Sequence, residues 1–504
     1  MMDEKAEARM SSAAVSRETG IEFASDTKVV HHDSAAERKA IRKLDYEIIP
    51  VMTMFYLLSF LDRANIGNAR VAGLQKDLHM TDRQYQICIT ITFVPYIAAE
   101  LPSNLLLRKI GPRILMSTVL TIWGIIVMSQ GFVKSYAGLA TARAFLGLVE
   151  GPMFPGIVLY LSGFYTRREL SFRIALFFSA ASLSGAFSGL LAAAIQQMDG
   201  IGGKPGWAWI FILEGLFSFL MGVAGYFLIP GTPHQSKLLT PQEKDLVMER
   251  LERDRPSIQP IDKFTFREVW RSMKSPQVIM VFIMFFLVGT TLYGLALFLP
   301  SIVAQLGYSK NRTQLLSVGP FAGGFVVTVL SAIISDRLEN RGLVAAAISL
   351  LAVAGYAMSL GAKNEFTRYG ALYLMVPGVY GAVPALAAWM SNNSEPHYRR
   401  AASIAFGFVA TNSGGVLSTW RFPTKEGPKF TKTTIMNLVF SIVVVLGCVA
   451  NTAYLHWRNQ QKKRPGYREE VLARFASVSA DERERETLAW VELGDRHPDY
   501  RYTL

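Results

Sequence analysis

Long apolar segments alternate with short polar ones along most of this chain. Each apolar segment holds roughly 18–25 residues, the length that a helix needs to cross a bilayer core of ~30 Å. A polar stretch near the middle of the chain divides the segments into two sets of six. The pattern predicts twelve transmembrane helices, at about 47–67, 86–107, 114–133, 137–164, 174–197, 208–230, 277–300, 314–335, 343–361, 369–391, 400–420 and 434–456.

The polar segments predict the rest of the organisation. The N-terminal segment is charged and lacks the apolar core of a signal peptide, which predicts a disordered tail. The central stretch opens with Pro230-Gly231-Thr232-Pro233, which ends a helix, and continues with the capping signal Thr240-Pro241-Gln242-Glu243; the alternative there is a plain linker. We predict an all-α membrane protein with a cytosolic tail at 1–46, six-helix bundles at 47–230 and 277–456, a cytosolic linker with an amphipathic helix at 231–276, and a cytosolic tail at 457–504.

Composition and charge agree with a membrane protein. Hydrophobic residues make up 51% of the 504 residues and charged residues 18%, below the ~25% of soluble domains. The net charge of +13 comes without a basic stripe interleaved with aromatics, so nucleic acid is not an expected partner. Cys88 and Cys448 lie in separate apolar segments, which predicts neither a disulfide framework nor a metal site.

The basic residues also indicate sidedness. If both termini are cytosolic, the short inner loops of the first half carry more Lys and Arg than the outer ones, as membrane insertion favours. The bias is weak in the second half. The basic residues of the inner loops in the first half are Arg108, Lys109, Arg113, Arg167, Arg168 and Arg173.

The clearest ionisable residues inside predicted helices of the first half are Asp62, Arg63, Arg143 and Glu150. Each costs about 2.5–3.5 kcal/mol on insertion scales, so each requires a partner, a hydrated cavity or a function. Arg63 and Arg143 fall at similar depth, and Glu150 follows Arg143 by two helical turns. A guanidinium can grip a carboxylate, and a poorly hydrated carboxylate can exchange protons. The pattern predicts an anion-binding and proton-coupling centre; the alternative is that Asp62–Arg63 and Arg143–Glu150 are structural ion pairs.

Other polar residues in the helices are weaker candidates. Tyr96, Tyr293 and Asn412 are candidates to line a substrate cavity, although such residues also join membrane helices. Asn393, near the inner end of the tenth helix, is a candidate for a gate or a packing contact. Glu214 is expected at a packing interface. Because the second half has no ionisable residue deep in a predicted helix, we expect protonation to reside in the first half.

Several motifs together resemble a known family. The chain is similar to the anion:cation symporter branch of the major facilitator superfamily, and more narrowly to the fungal allantoate permease family, whose members import nicotinate, pantothenate, allantoate, biotin and similar carboxylates. The motifs that carry the resemblance are Leu61-Asp62-Arg63-Ala64-Asn65-Ile66-Gly67-Asn68-Ala69, Leu101-Pro102-Ser103-Asn104 with Gly111-Pro112-Arg113, Arg143-Ala144-Phe145-Leu146-Gly147-Leu148-Val149-Glu150-Gly151 and Trp209-Ile210-Phe211-Ile212-Leu213-Glu214-Gly215.

The resemblance implies roles for particular residues. Arg63 would help to bind the anion, Asp62 and Glu150 would couple protons, and Arg143 would pair with Glu150. Tyr96 and Asn412 would face the substrate. The chain departs from the family at Glu395-Pro396, where Ala-Gly is usual, and this departure concerns the predicted inner gate.

The function predicted from these observations is proton-coupled import of a small organic anion by alternating access. The expected fold is the major facilitator fold, as a monomer without cofactor or metal, and the resemblance places it in the plasma membrane. An exporter or exchanger of an acidic metabolite and a nutrient sensor are the alternatives. An enzyme is not expected, because the loops carry no nucleophile–base pair or metal cluster. Which anion is transported does not follow from the sequence.

Overall fold

The computed structural model describes residues 35–254, 275–394, 397–423, 426–427, 429–473, 475, 489–490 and 492–504. Within these residues the regular structure is helical. Most of the predicted N-terminal tail, part of the linker and Glu395-Pro396 lie outside the described residues. Residues 35–46, which the sequence assigns to that tail, belong to the first helix.

The first half contains six membrane crossings. The fourth is broken at Gly151-Pro152, because proline cannot donate the backbone hydrogen bond that would continue the helix. The helices are α1 Ala35–Ala72, α2 Asp82–Ile110, α3 Pro112–Gln130, α4 Tyr136–Glu150, α5 Met153–Ser162, α6 Arg167–Ile195 and α7 Gly206–Leu228.

A short helix, α8, follows at Pro241–Asp254. The backbone N–H of Thr240 donates to Glu243 Oε2 at 2.9 Å and the N–H of Glu243 donates to Thr240 Oγ1 at 3.3 Å, which forms the capping box. Lys43 of α1 forms an ion pair with Glu243 at 2.7 Å, and Arg250 forms one with Glu169 of α6 at 2.5 Å. The helix α8 therefore lies against one end of the first bundle, and we call the opposite side of the molecule the outer side.

The second half contains the other six crossings. They are α9 Pro276–Ala304, α10 Lys310–Leu338, α11 Arg341–Gly361, α12 Glu365–Asn392, α13 His397–Thr419 and α14 Thr431–Gln461, followed by a short helix, α15 Tyr467–Ala473. Nine helices of the described residues meet the length and hydropathy expected of a membrane span. The other three crossings are α2, the broken α4–α5 and α13.

Close packing joins the helices into two bundles of six crossings. In the first half α3 packs on α7 and α1 on α6, and in the second α11 packs on α12 and α9 on α13. The bundles meet where α6 contacts α10 and α1 contacts α9. A Cβ built on Gly67 of α1 would overlap the carbonyl oxygen of Leu297 of α9, and Gly189 of α6 lies similarly close to the Gln314 carbonyl of α10. These contacts close the outer side.

Candidate functional site

A narrow cavity lies between the two bundles. It is bounded by α1, α2, α5 and α6 on one side and by α9, α12 and α13 on the other. Its walls are mainly apolar, and the only full charge among the lining residues is Arg63. The aromatic lining residues are Tyr56, Phe60, Tyr96, Phe154, Phe178, Phe285, Tyr293 and Phe408.

Arg63 projects from α1 into this cavity and is held on several sides. Its guanidinium forms an ion pair with Glu150 of α4 and donates to Tyr293 Oη of α9 at 2.8 Å. The guanidinium carbon also lies 4.8 Å from the ring centroid of Tyr96 and 5.2 Å from that of Phe60. Aromatic faces stabilise a partly desolvated cation, and a guanidinium keeps its charge. The site therefore offers a fixed positive charge in an aromatic cage.

Glu150 is the partner of Arg63. It ends α4, where the break before α5 leaves its carboxylate facing α1. Oε1 accepts from Ser59 Oγ at 3.0 Å, whereas Oε2 is buried and has no hydrogen-bond partner among the described residues. The pairing of Arg143 with Glu150, implied by the family resemblance, is wrong. Two helical turns separate the two residues by about 10 Å along the axis, and the Glu150 carboxylate turns towards α1.

Arg143 and Asp62 lie away from the cavity wall. The Arg143 guanidinium is buried, lies over the Phe211 ring at 5.6 Å, and its Nε and Nη2 have no hydrogen-bond partner in the described parts of the chain. Asp62 accepts from Ser218 Oγ of α7 at 3.2 Å. Asp62 and Arg63 form no ion pair within the described residues, because successive helical residues point about 100° apart. Asp62 instead faces the interior of the first bundle.

The second bundle contributes a polar connection across the cavity. Tyr293 accepts from Arg63 and donates to Asn412 Oδ1 of α13 at 2.9 Å. Asn412 in turn donates to the Phe408 carbonyl at 3.0 Å, which fixes its orientation. One chain of hydrogen bonds thus links the two bundles through the cation.

Asn393 is not part of this group. It follows the inner end of α12, where its Nδ2 donates to the Thr503 carbonyl at 2.8 Å and its Oδ1 accepts from the Thr503 N–H at 2.8 Å. The structure therefore places Asn393 against the C-terminal segment and away from the cavity.

Glu100 is a buried acid that the candidates from the sequence do not include. It lies on α2 one turn after Tyr96, is 2% exposed, and is near enough to Arg63 for the two charges to interact. Its position inside the predicted helix at 86–107 is the signal that could have found it. The phenylalanines of the lining gave no such signal, because the chain has 31 phenylalanines and their periodicity does not separate a cavity from a core.

A family model for the Major Facilitator Superfamily matches residues 52–419. The chain belongs to this superfamily. Members of the superfamily are transporters and not enzymes. An uncharacterized transporter of Schizosaccharomyces pombe is 33% identical over 437 residues, which cover 86% of this chain and 87% of that protein. The high-affinity nicotinic acid transporter of Saccharomyces cerevisiae is 30% identical over 495 residues, which cover 98% of this chain and 90% of that protein.

Solved structures agree on the fold. The proton:xylose symporter XylE bound to 6-bromo-6-deoxy-D-glucose superposes with a TM-score of 0.62 at 14% sequence identity. The match covers 81% of this chain and 94% of that one. At this identity the similarity establishes the twelve-helix fold alone. The family match and the transporter relatives make this superfamily member a multi-pass membrane transporter of a small molecule.

Proposed function

We propose that this protein imports a small organic monocarboxylate together with a proton, by alternating access. The observation that carries the proposal is Arg63, the one full charge among the residues lining the cavity, held by a carboxylate that a substrate can replace. One guanidinium can hold one carboxylate through two parallel hydrogen bonds. A dianion would leave its second charge against apolar walls, which is unfavourable.

Anion binding and proton binding are linked because both act on the Arg63–Glu150 ion pair. A substrate carboxylate that takes over the guanidinium leaves Glu150 buried without its cation. A buried, unpaired carboxylate is costly and takes up a proton. One anion and one proton then cross together with no added charge, and their release re-forms the ion pair. Asp62, beside Arg143 in the same bundle, is the second candidate for proton coupling.

The aromatic walls favour a substrate with a flat, largely apolar body. The rings of Phe60 and Tyr293 are parallel to within 5°, with centroids 6.4 Å apart, next to the guanidinium. Offset stacking on such rings contributes about 0.5–1.5 kcal/mol beyond area burial. Together with the nicotinic acid transporter among the relatives, this makes nicotinate-like acids the first substrates to test and ureides such as allantoate later ones.

The family branch, the membrane and the oligomeric state are proposed from the sequence. We place the chain in the anion:cation symporter branch, near the fungal allantoate permeases, on its motifs. We place it in the plasma membrane as a monomer with both termini in the cytosol, on the family resemblance and the basic inner loops of the first half.

Uptake of labelled substrates tests the proposal. Transporter-deficient yeast expressing the chain would be given nicotinate, pantothenate, allantoate and biotin at external pH 5 and 7.5. We expect accumulation of one acid, stronger at pH 5. Arg63→Gln should abolish transport, and Glu150→Gln should abolish accumulation while preserving exchange of labelled for unlabelled substrate. Surface labelling confirms that both variants reach the membrane.

Three results would change the proposal. Normal uptake by Arg63→Gln would exclude the guanidinium as the anion site. Efflux from preloaded cells without uptake would favour the exporter. A growth response to an acid that is not transported would favour the sensor.

A further inference from the structure

A ladder of buried polar side chains runs from Asp62 towards the outer side of the first bundle. Ser218 donates to Asp62, and one turn earlier on α7 the carboxylate of Glu214 accepts from Asn65 Nδ2. Ser188 Oγ of α6 donates to Asn65 Oδ1 at 3.3 Å. The ladder continues to Asn68, which donates to Ser188 Oγ. None of these contacts involves the cavity described above.

The ladder ends at the contact that closes the outer side. Gln314 Nε2 of α10, in the second bundle, donates to the main-chain carbonyl of Asn68 at 3.2 Å. This bond lies beside the close approach of Gly189 to Gln314. Opening the outer side separates α1 and α6 from α9 and α10. The same movement therefore breaks the last bond of the ladder.

Glu214 forms no ion pair among the described residues. It is 5% exposed, its hydrogen bond comes from an amide, and its Oε1 has no hydrogen-bond partner among the described residues. The ionisable group that interacts with it is Asp62 on α1, and Arg143 of α4 lies over the ring of Phe211, one turn before Glu214 on α7. The outer halves of α3 and α6, which also pack on α7, contain no ionisable residue.

The number of buried charges also indicates that Glu214 lacks a counter-ion. Among the side chains that the structure describes, the membrane part of the first bundle contains four buried carboxyl groups, those of Asp62, Glu100, Glu150 and Glu214, but two buried guanidinium groups. Glu150 forms an ion pair with Arg63, and no ion pair joins Arg143 to Glu214 among the described residues. An ionised Glu214 would then be a desolvated charge without a counter-ion, which costs several kcal/mol.

We propose that Glu214 must carry a proton for the outer side to close, so that external acidity drives the transporter towards its inward-facing state through this residue. With the outer side open, water hydrates Glu214 and it ionises. Closure transfers a proton from external hydronium to the carboxylate, and reopening returns it to the outside. This proton controls the gate and is distinct from the one transported with substrate. The inference deepens the proposed function and depends on it.

Thiol accessibility at the outer contact tests the inference. Val318 of α10 packs against Gly189, so a Val318→Cys probe reacts with a membrane-impermeant thiol reagent when the outer side is open. Cys88 and Cys448 are first replaced by serine. Rates are divided by those of a Lys363→Cys probe in an exposed outer loop, which corrects for the effect of pH on thiol reactivity.

The expected result is a several-fold slower reaction at external pH 5 than at pH 8 in the parent protein. Glu214→Gln should react slowly at both pH values, because it is neutral throughout, yet retain accumulation of substrate. Asp77→Asn, which removes an exposed carboxyl that accepts from Trp207 Nε1 near the same side, should retain the pH response. If Glu214→Gln does not reach the membrane, Glu214→Met replaces it as a neutral residue of similar length.

The possible outcomes separate the two proposals. An unchanged pH response in Glu214→Gln would overturn the inference while leaving proton-coupled import intact. The inference would also be overturned if both neutral variants failed to reach the membrane and Glu214→Asp succeeded, because the fold would then require a negative charge. If neither substrate uptake nor the reaction rate of the thiol probe depended on pH in the parent protein, the proposed function would be overturned instead.

Discussion

At the scale of single residues, the cavity is organised around one guanidinium. A lysine could not replace Arg63, because a compact ammonium cannot contact Glu150, Tyr293 and two ring faces in one plane. Tyr293 contacts this guanidinium from the second bundle. Its hydroxyl joins Arg63 to Asn412, and its ring packs edge-to-face on Phe93 with centroids 4.9 Å apart. The hydroxyl therefore orients the cation, whereas the ring shapes the wall.

Replacing Tyr293 by phenylalanine separates these two contributions. The variant keeps the ring and loses a hydrogen bond to a charged group, which contributes about 1.5–3 kcal/mol. We expect KM for uptake to rise about tenfold or more with normal surface expression. Tyr356→Phe is the control, because Tyr356 is buried in α11 outside the cavity lining. An unchanged KM in Tyr293→Phe would mean that the hydroxyl does not position Arg63 for binding.

The sequence predicts depth in the membrane better than it predicts pairing. Arg63 and Glu150 come together because helix rise fixes the height of each residue within a span. Which residue pairs with which depends on the rotation of each helix about its axis and on the bend at Gly151-Pro152, and neither is encoded in a local pattern. For that reason the predicted Arg143–Glu150 pair is wrong. The sequence leaves open whether Asn393 serves a gate or a packing contact, because nothing in the local pattern indicates its contact with Thr503, more than a hundred positions later.

At the scale of helices, the sequence predicts the membrane crossings well. A bilayer fixes the length of each apolar segment, and turn residues mark where a helix ends. The first helix differs, because it includes residues 35–46, which the sequence assigns to a polar tail. Arg173 of α6 forms an ion pair with Asp45 in this part of the helix, at 2.6 Å. The distances between helices follow from small residues. Gly67 lets α1 touch α9 across the two bundles, and Gly147 lets α4 touch α2 within one bundle.

Adding one methyl group at Gly67 should hold the outer side open. The new Cβ would overlap the Leu297 carbonyl, and backbone cannot move aside cheaply, so overpacking of about 1–3 kcal/mol opposes closure. We expect Gly67→Ala to lose most uptake and to raise the reactivity of an outer thiol probe at every pH. Gly147→Ala is the matched control, because its methyl group overlaps the Thr92 carbonyl inside the first bundle. That variant should lower Tm without raising outer reactivity.

At the scale of the whole molecule, the C-terminal segment is part of the second bundle. The polar pattern predicts a cytosolic tail from 457, yet the described residues from 489 to 504 fold back onto the ends of the helices. Lys462 Nζ donates to the Asp495 carbonyl at 2.7 Å and to the Tyr500 carbonyl at 3.0 Å. His497 stacks on Trp490 with centroids 4.0 Å apart, and burial lowers its pKa to about 4, so the ring is neutral at pH 7. A local pattern cannot reveal such docking, because each contact joins residues distant in sequence.

Asn393 offers the sharpest test of this docking, because its two hydrogen bonds to Thr503 join the end of α12 to the segment. Losing both should weaken docking by about 1–3 kcal/mol. We expect trypsin to cleave at Arg496 in the detergent-solubilised Asn393→Ala variant about tenfold faster than in the parent protein. Asn392→Ala is the matched control. The Tyr500 hydroxyl donates to the main-chain carbonyl of Asn392 at 2.5 Å, and alanine keeps that acceptor. If Asn393→Ala instead raised KM for uptake and left cleavage unchanged, Asn393 would belong to the transport path and the segment would be held by its other contacts.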